Sequence, residues 1–197
     1  MTLLINVLIF LIIFYSVTVK SRKSLHMLQQ NLYNENNRYL KWLKQNRKVA
    51  LKHYDVIGLI LAVIALFTGS FLSKVLLFIS ALIYLFDSEV IKYSIMVEKA
   101  KKPLVKTARV KRQMMTLYIL NLIPLVFYLV FNCNVKVLLV LASLMLVLNY
   151  YMVYLVKLIN DPIEKGIYKK FWHMAEDKLA SYKDLKVIGI TGSYGKT

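Results

Sequence analysis

The apolar stretch that decides the fold class is TLLINVLIFLIIFYSVTV, residues 2–19. Its polar members Asn6, Ser16 and Thr18 are few, and a basic group follows it at once from Lys20. A helix of this length can cross the ~30 Å hydrocarbon layer of a membrane. A cleaved secretion signal carries its basic residues before the apolar core, whereas here they come after it. We therefore expect an uncleaved anchor with its N-terminus outside.

The composition of the whole chain also indicates a membrane protein. Hydrophobic residues make up 58% of the 197 residues, and the mean hydropathy is +0.54, whereas soluble domains contain about 45–50% apolar residues. The net charge of +17 is typical of basic loops that orient spans and contact anionic lipid headgroups. The lone Cys133 excludes an intramolecular disulfide, and we expect it to be inert. No Cys/His spacing indicates a metal site.

Apolar runs and charge together predict an all-α membrane domain over residues 1–160 with about five transmembrane helices. The predicted spans are residues 2–19, 54–72, 75–91, 114–131 and 137–156. The two predicted inner segments, residues 20–53 and 92–112, carry nine and eight Lys/Arg, whereas each outer turn carries one. This distribution follows the positive-inside rule and predicts a multi-pass protein with its C-terminus in the cytoplasm.

Acidic residues lie near the ends of the predicted spans. We expect Asp87 and Glu89 to pair with Lys52 or Lys92 at the cytoplasmic interface, and Asp55 lies near the start of its span. Because a charge inside the membrane is costly, a transport role is the alternative.

Three uncharged residues interrupt the last two predicted spans. We expect Asn121 and Asn149 to be interhelical hydrogen-bond partners rather than ligands. Pro124 removes a backbone donor and predicts a kink in its helix.

The basic segments predict amphipathic cytoplasmic helices. In residues 20–53, leucines at helical spacing predict such a helix, broken near Asn34–Asn37 and lying at the headgroup layer with Trp42 as an anchor. Nucleic acid is the alternative ligand for residues 41–52, but aromatic residues are too sparse to favour it. Residues 161–185 predict an amphipathic linker helix with Asp161 as N-cap and Pro162 in its first turn. This helix would lie on the membrane or pack on a following domain, with His173 on its surface.

The end of the chain, residues 186–197, reads KVIGITGSYGKT. Val187, Ile188 and Ile190 form a short β-type run, and a glycine-punctuated loop follows. Glycines let backbone amides surround a phosphate, the lysine adds charge, and a hydroxyl can ligate Mg²⁺. We therefore expect a strand and a phosphate loop, a variant pattern because the strict loop has glycine in place of Ile190. A bare β-turn is the alternative.

The segment Ile190–Thr197, ITGSYGKT, resembles the ATP-binding loop of the Mur ligase family, with Tyr194 where asparagine is more usual. The segment Asp161–Lys165 resembles, more weakly, members with a membrane domain in front, especially the D-alanyl-D-alanine-adding enzyme. The resemblance implies that ATP phosphates are bound by Gly192, Ser193, Tyr194, Gly195, Lys196 and Thr197. It also implies that Thr197 holds Mg²⁺ through its hydroxyl.

The resemblance implies that residues 186–197 begin the α/β central domain of a ligase and that the chain is the N-terminal part of a longer enzyme. That enzyme would use ATP and Mg²⁺ to join an amino acid or dipeptide, such as D-Ala-D-Ala, to a UDP-linked muramyl peptide at the bacterial inner membrane. Its expected partners are membrane lipids and cell-wall synthesis proteins of the membrane, not nucleic acid. We expect the 197 residues alone to be inactive.

Two other functions fit the sequence. The helices could form a non-catalytic membrane scaffold, or a lipid- or partner-binding module, with a vestigial phosphate loop. A membrane-anchored P-loop kinase or ATPase is the third hypothesis, which Ile190 weakens because the strict motif has glycine there.

Overall fold

A computed structural model describes residues 2–97, 104–132 and 134–182 of the chain, and these residues are helical with no strand among them. The helices are α1 Thr2–Gln30, α2 Arg38–Gln45, α3 Arg47–Ala50, α4 His53–Phe67, α5 Ser70–Val97, α6 Ala108–Asn121, α7 Ile123–Phe131, α8 Val135–Val147 and α9 Asn149–Ala180. The chain divides into two compact units, Met1–Asn160 and Asp161–Thr197. We call the first of these the N-terminal unit.

The first core of the N-terminal unit lies where the α4–α5 hairpin packs on α1 and α8. Small residues of α4, Gly58, Ala62 and Ala65, are buried and repeat at helical spacing, so the neighbouring helices approach closely. A Cβ added at Gly58 would lie 2.6 Å from Cε1 of the Tyr84 ring. The buried core residues are Ile9, Ile13, Val17, Ala62, Ala65, Leu77, Ala81, Tyr84, Leu139, Ala142 and Leu146.

A second core forms where α2 and α3 fold back under α1, α6 and α9. Its buried members are Leu25, Leu28, Tyr39, Leu43, Ala50, Leu117, Tyr150, Val153 and Val156. The chain reverses between α1 and α2 through five residues with positive φ: Leu32, Tyr33, Asn34, Asn36 and Asn37. Asparagine tolerates this left-handed conformation better than most residues. The predicted break near Asn34–Asn37 is confirmed.

The two ends of the N-terminal unit differ in character. The Lys136 Nζ donates to the Thr68 carbonyl at 3.0 Å, so the α4–α5 turn and the start of α8 lie together at one end, the turn end. At the other end the Gln29 amide exchanges two hydrogen bonds with the Val105 backbone, at 3.0 and 3.1 Å, and joins the two basic segments. We call this the basic end. Within the described residues, the turn and the basic segments therefore lie at different ends of the fold, and the side of the membrane that each end faces stays a prediction.

The prediction of five spans is wrong. Within the described residues, three helical stretches are long and apolar enough to cross a membrane, Leu4–Gln30, Ser70–Ser94 and Ala108–Phe131. A fourth is counted only if α8 and α9, which are bent by 78°, form one span. The helix α4 has 15 residues, or about 22 Å at 1.5 Å per residue. The apolar runs that predict two of the spans continue across Thr68 and Leu148, whereas helices α4 and α8 end just before these residues.

The predicted fold class, a helical domain ending in the strand and loop of an α/β ligase domain, is also wrong. All the regular secondary structure in the described residues is helical. A helix forms the backbone hydrogen bonds of an apolar segment within that segment, which a membrane requires. Residues 186–197, on which the strand and loop were predicted, lie outside the described residues.

Two prolines have different effects on the helices. The break between α6 and α7 falls at Leu122, and Pro124 lies in the first turn of α7, which confirms the predicted kink. By contrast, α9 continues through Pro162, so the predicted helix start at Asp161 is wrong. Proline inside a helix removes one backbone hydrogen bond but does not always end the helix.

Candidate functional site

Charged side chains that are buried inside the N-terminal unit form its candidate site. Lys20 of α1 is 1% exposed, Asp55 of α4 is 0% exposed and Asp87 of α5 is 5% exposed. Burying an isolated charge costs several kcal/mol, roughly, so such groups require a partner of opposite charge. Each of these three has one.

The partners connect three helices at the basic end. The Lys20 ammonium donates to the Asp55 carboxylate, and the two form a buried ion pair between α1 and α4. Lys52, which precedes α4, pairs with Asp87 of α5 at 2.6 Å between Nζ and Oδ1. We call these four residues the charge cluster. It contains two cations and two anions, so its formal charge is zero, and its two ion pairs connect α1 to α4 and the residue before α4 to α5.

The environment of Lys20 is polar on one side and aromatic on the other. Its Nζ lies 6.0 Å from the centre of the Tyr150 ring of α9, within range of a cation–π attraction. The second carboxylate oxygen of Asp55, Oδ1, is buried without a hydrogen-bond partner. The Asp55 carboxylate is therefore held by a single side chain, and it depends on Lys20.

A group of uncharged polar side chains follows Lys20 along α1. The Ser24 hydroxyl donates to the Asn149 Oδ1 at 2.7 Å, and the Asn149 amide donates to the Ser21 hydroxyl at 2.9 Å. The Asn121 amide of α6 also donates to Ser21, at 3.4 Å. We call these four residues the polar seam, which joins α1, α6 and α9. The predicted interhelical roles of Asn121 and Asn149 are confirmed.

The acidic residues near the end of α5 behave as predicted. Asp87 pairs with Lys52, and the Glu89 carboxylate lies 3.6 Å from the Lys92 ammonium. Glu89 also accepts a hydrogen bond from the Tyr15 hydroxyl of α1 at 2.6 Å. The predicted pairing is therefore confirmed, whereas the predicted position of the pairs at the cytoplasmic interface stays a prediction.

The pair of Lys20 and Asp55 was missed by sequence reasoning. Lys20 was grouped with the basic residues of the following segment, because it comes directly after the apolar run. Helix α1 instead continues to Gln30, so Lys20 lies in the middle of a helix and on its buried face. The available signal was the spacing of Ser16, Lys20 and Ser24, which places three polar residues on one helical face.

The charge cluster does not have the residues of a metal site, because each of its two carboxylates is paired with a lysine. Among the described residues, no group of three or more His, Cys, Asp or Glu side chains could hold a metal ion. His173 is exposed on α9, with Nδ1 3.1 Å from the Glu176 carboxylate. The described part of the chain therefore presents paired charges rather than a set of metal ligands.

The predicted ATP and Mg²⁺ ligands, Gly192–Thr197, and the predicted inert Cys133 lie outside the described residues. No family model, curated protein or solved structure matches the chain.

Proposed function

We propose that residues 2–160 are the membrane domain of an ATP-dependent Mur-type amide ligase, and that they hold its nucleotide-binding part on the cytoplasmic side. The membrane placement is supported by the surface of the N-terminal unit, where large apolar side chains are exposed on several helices. Phe67 is 85% exposed, Phe71 80% and Leu129 67%. Soluble proteins rarely expose extended apolar surfaces of this kind.

The observation that carries the proposal is the separation of the two ends. The two turns meet at one end through Lys136 and Thr68, and the basic segments meet at the other through Gln29 and Val105. Helix α8 begins at the turn end and finishes next to Asn149, whose side chain lies in the polar seam. Basic loops remain in the cytoplasm. If the basic end faces the cytoplasm, as this rule predicts, the chain would leave its last apolar helix on the side where ATP is available.

The sequence TGSYGKT supports the chemical part of the proposal. In the proposed enzyme, backbone amides of Gly192–Lys196 would surround the phosphates, Lys196 would balance their charge, and the Thr197 hydroxyl would hold Mg²⁺. ATP, when bound, supplies the phosphoryl group that activates the carboxylate of a UDP-linked muramyl peptide. The amine of an amino acid, or of a dipeptide such as D-Ala-D-Ala, would attack the activated carboxyl carbon, and inorganic phosphate would leave as the amide bond forms.

The experiment uses the native gene in its host. Membranes are prepared, the protein is captured with an antibody against residues 38–52, and ligation of labelled D-Ala-D-Ala to UDP-muramyl tripeptide is measured with and without ATP. We expect Lys196→Ala to lower the rate by ~10²-fold or more, the loss typical of a group that stabilises transition-state charge. Lys178→Ala, an exposed lysine of α9, is the matched control. An unchanged rate for Lys196→Ala would overturn the proposed role.

A non-catalytic membrane scaffold is the second candidate, and one observation favours it. The charge cluster and the polar seam connect α1, α4, α5, α6 and α9 entirely through residues before Asp161. The described helices thus hold one another without a nucleotide. ATP-independent membrane insertion together with an absence of ligation by the captured native protein would support the scaffold.

A further inference from the structure

Helices α2 and α3 carry a row of basic side chains that point away from the core. Both helices are free of acidic residues, and the nearest described acid before them is Glu35. The five exposed cations are Arg38, Lys41, Lys44, Arg47 and Lys48. We call this set the basic face.

The side of α2 that carries Tyr39 and Trp42 packs against Tyr150 of α9. The Tyr39 hydroxyl donates to the Tyr150 carbonyl at 2.8 Å, and burial raises the pKa of Tyr39, which therefore stays a neutral donor. The Trp42 ring lies 5.9 Å from the Tyr39 ring and 5.8 Å from the Tyr150 ring. Leu43 is buried. The apolar side of α2 therefore packs on protein, and the predicted position of this helix at the headgroup layer with Trp42 as an anchor stays a prediction.

The position of α3 relates the basic face to the membrane. Helix α3 ends at Ala50, and α4 begins at His53 with a stripe of exposed apolar side chains, Tyr54, Ile57, Ile60 and Ile64. These residues repeat at three to four positions and face away from the core, as a lipid-facing stripe does. Val49 of α3 is also 42% exposed. Arg47 and Lys48 therefore lie just beyond the end of the stripe, where the phosphates of a bilayer around the stripe would be expected.

We propose that the basic face binds the phosphate groups of anionic phospholipids in the cytoplasmic leaflet. Five cations without an intervening acid are complementary to an anionic surface, and each adds about fivefold to the binding constant at ordinary ionic strength. The inference uses the membrane placement proposed above but not the ligase activity.

Nucleic acid fits this surface less well. Binding of single strands requires exposed aromatic rings on which bases stack. The rings of α2 and of the turn before it pack within the protein: Trp42 contacts Tyr39 and Tyr150, and Tyr33 lies beneath the Arg109 guanidinium, whose carbon is 3.9 Å from the ring centre. Tyr54, at the start of α4, is the exposed Phe, Tyr or Trp ring nearest to the face along the described chain, and one ring does not form a row on which successive bases could stack.

The test uses Trp42 as a local reporter. The other tryptophan is removed by Trp172→Phe, and the full chain is reconstituted in phosphatidylcholine vesicles that contain brominated phosphatidylglycerol or brominated phosphatidylcholine. Quenching of Trp42 gives the relative association constant of the two lipids. We expect a preference for phosphatidylglycerol of at least ~tenfold at low salt, which decreases as salt screens the charges.

The variant Lys44→Gln, Arg47→Gln, Lys48→Gln removes three cations of the basic face and should abolish most of the preference. Its matched control, Lys165→Gln, Lys169→Gln, Lys170→Gln, removes three exposed cations of α9 and should leave the preference unchanged.

Equal quenching by both lipids, or an unaltered preference in the first variant, would overturn the proposal. So would release of the lipid by inorganic phosphate or single-stranded RNA at constant ionic strength, which would indicate a free-phosphate or nucleic-acid site. Ligation by the native protein is measured separately, so the two proposals can fail independently.

Discussion

Lys20 shows how a charge is accommodated in an otherwise apolar helix. It lies 18 residues into α1, on the same face as Ser16 and Ser24, and is 1% exposed. Its Asp55 partner is fully buried and has no other hydrogen bond at Oδ1. Asp55 therefore depends on Lys20, because without Lys20 no other group in the described residues would bond the Asp55 carboxylate.

We predict that Lys20→Met lowers the free energy of unfolding by ~3–5 kcal/mol, the usual loss when one partner of a buried pair is removed. The double variant Lys20→Met, Asp55→Leu should lose much less, because no buried charge remains. Unfolding in detergent, followed by far-ultraviolet circular dichroism, measures both.

The second pair of the charge cluster supplies the control. The Lys52 side chain is 25% exposed, against 2% for Lys20. Water can therefore reach the Asp87 carboxylate when Lys52→Met removes its partner, and the loss of stability should be smaller. A larger loss for Lys52→Met than for Lys20→Met would contradict this ranking.

Gly58 gives a second prediction from a single residue. A methyl group at Gly58 would lie 2.6–3.0 Å from three atoms of the Tyr84 side chain, which is 1% exposed and cannot move outward. Gly58→Ala should therefore destabilise the N-terminal unit by ~1–3 kcal/mol, although alanine is the better helix former. Gly69→Ala is the control, since nothing lies within 4 Å of its added Cβ. Equal stability of the two variants would contradict the close contact between α4 and α5.

Some of these residues could be predicted from sequence and others could not. Asn149 and Asp87 interrupt apolar runs, so the need for a partner was evident from their neighbours in the chain. Lys20 and Asp55 are 35 residues apart and meet only because α1 continues past its apolar run. That contact depends on the length and rotation of two helices, which local sequence does not specify.

At the level of helices, the ends were harder to predict than the helices themselves. Hydropathy detects apolar length, but α4 ends at Phe67 and α8 ends at Val147, within runs that were counted as spans. At Leu148 the chain bends between α8 and α9, and Asn149 turns its side chain into the polar seam. The partners of Asn149, Ser21 and Ser24, belong to α1, so the surroundings of the bend cannot be read from the residues next to it in the chain.

The polar seam predicts a measurable coupling between α1 and α9. Ser24→Ala and Asn149→Leu each remove the 2.7 Å hydrogen bond between these side chains. In a double-mutant cycle, we expect a coupling free energy of about 0.6–1.7 kcal/mol, the range for hydrogen bonds between helices in membranes. Steric trapping or unfolding in detergent measures the four stabilities. A coupling of zero would contradict the assignment of this contact as an interhelical bond.

At the level of the whole molecule, composition was sufficient to predict a helical membrane protein. The clustering of basic residues in two segments predicted that those segments share one side, and they meet at Gln29 and Val105. The positive-inside rule would place both segments in the cytoplasm, and this orientation stays a prediction. The predicted ligands of the ATP phosphates and of Mg²⁺, Gly192–Thr197, lie outside the described residues.

The most direct measurement is the accessibility of one cysteine at each end of the N-terminal unit. In a Cys133→Ser background, Ser70→Cys places a thiol at the turn end and Gln45→Cys places one at the basic end, both at exposed positions. Intact cells are treated with a membrane-impermeant maleimide, before or after permeabilisation. We predict labelling of Ser70→Cys in intact cells and labelling of Gln45→Cys only after permeabilisation. Labelling of Gln45→Cys in intact cells would place the basic end outside and contradict a ligase held at the cytoplasmic face.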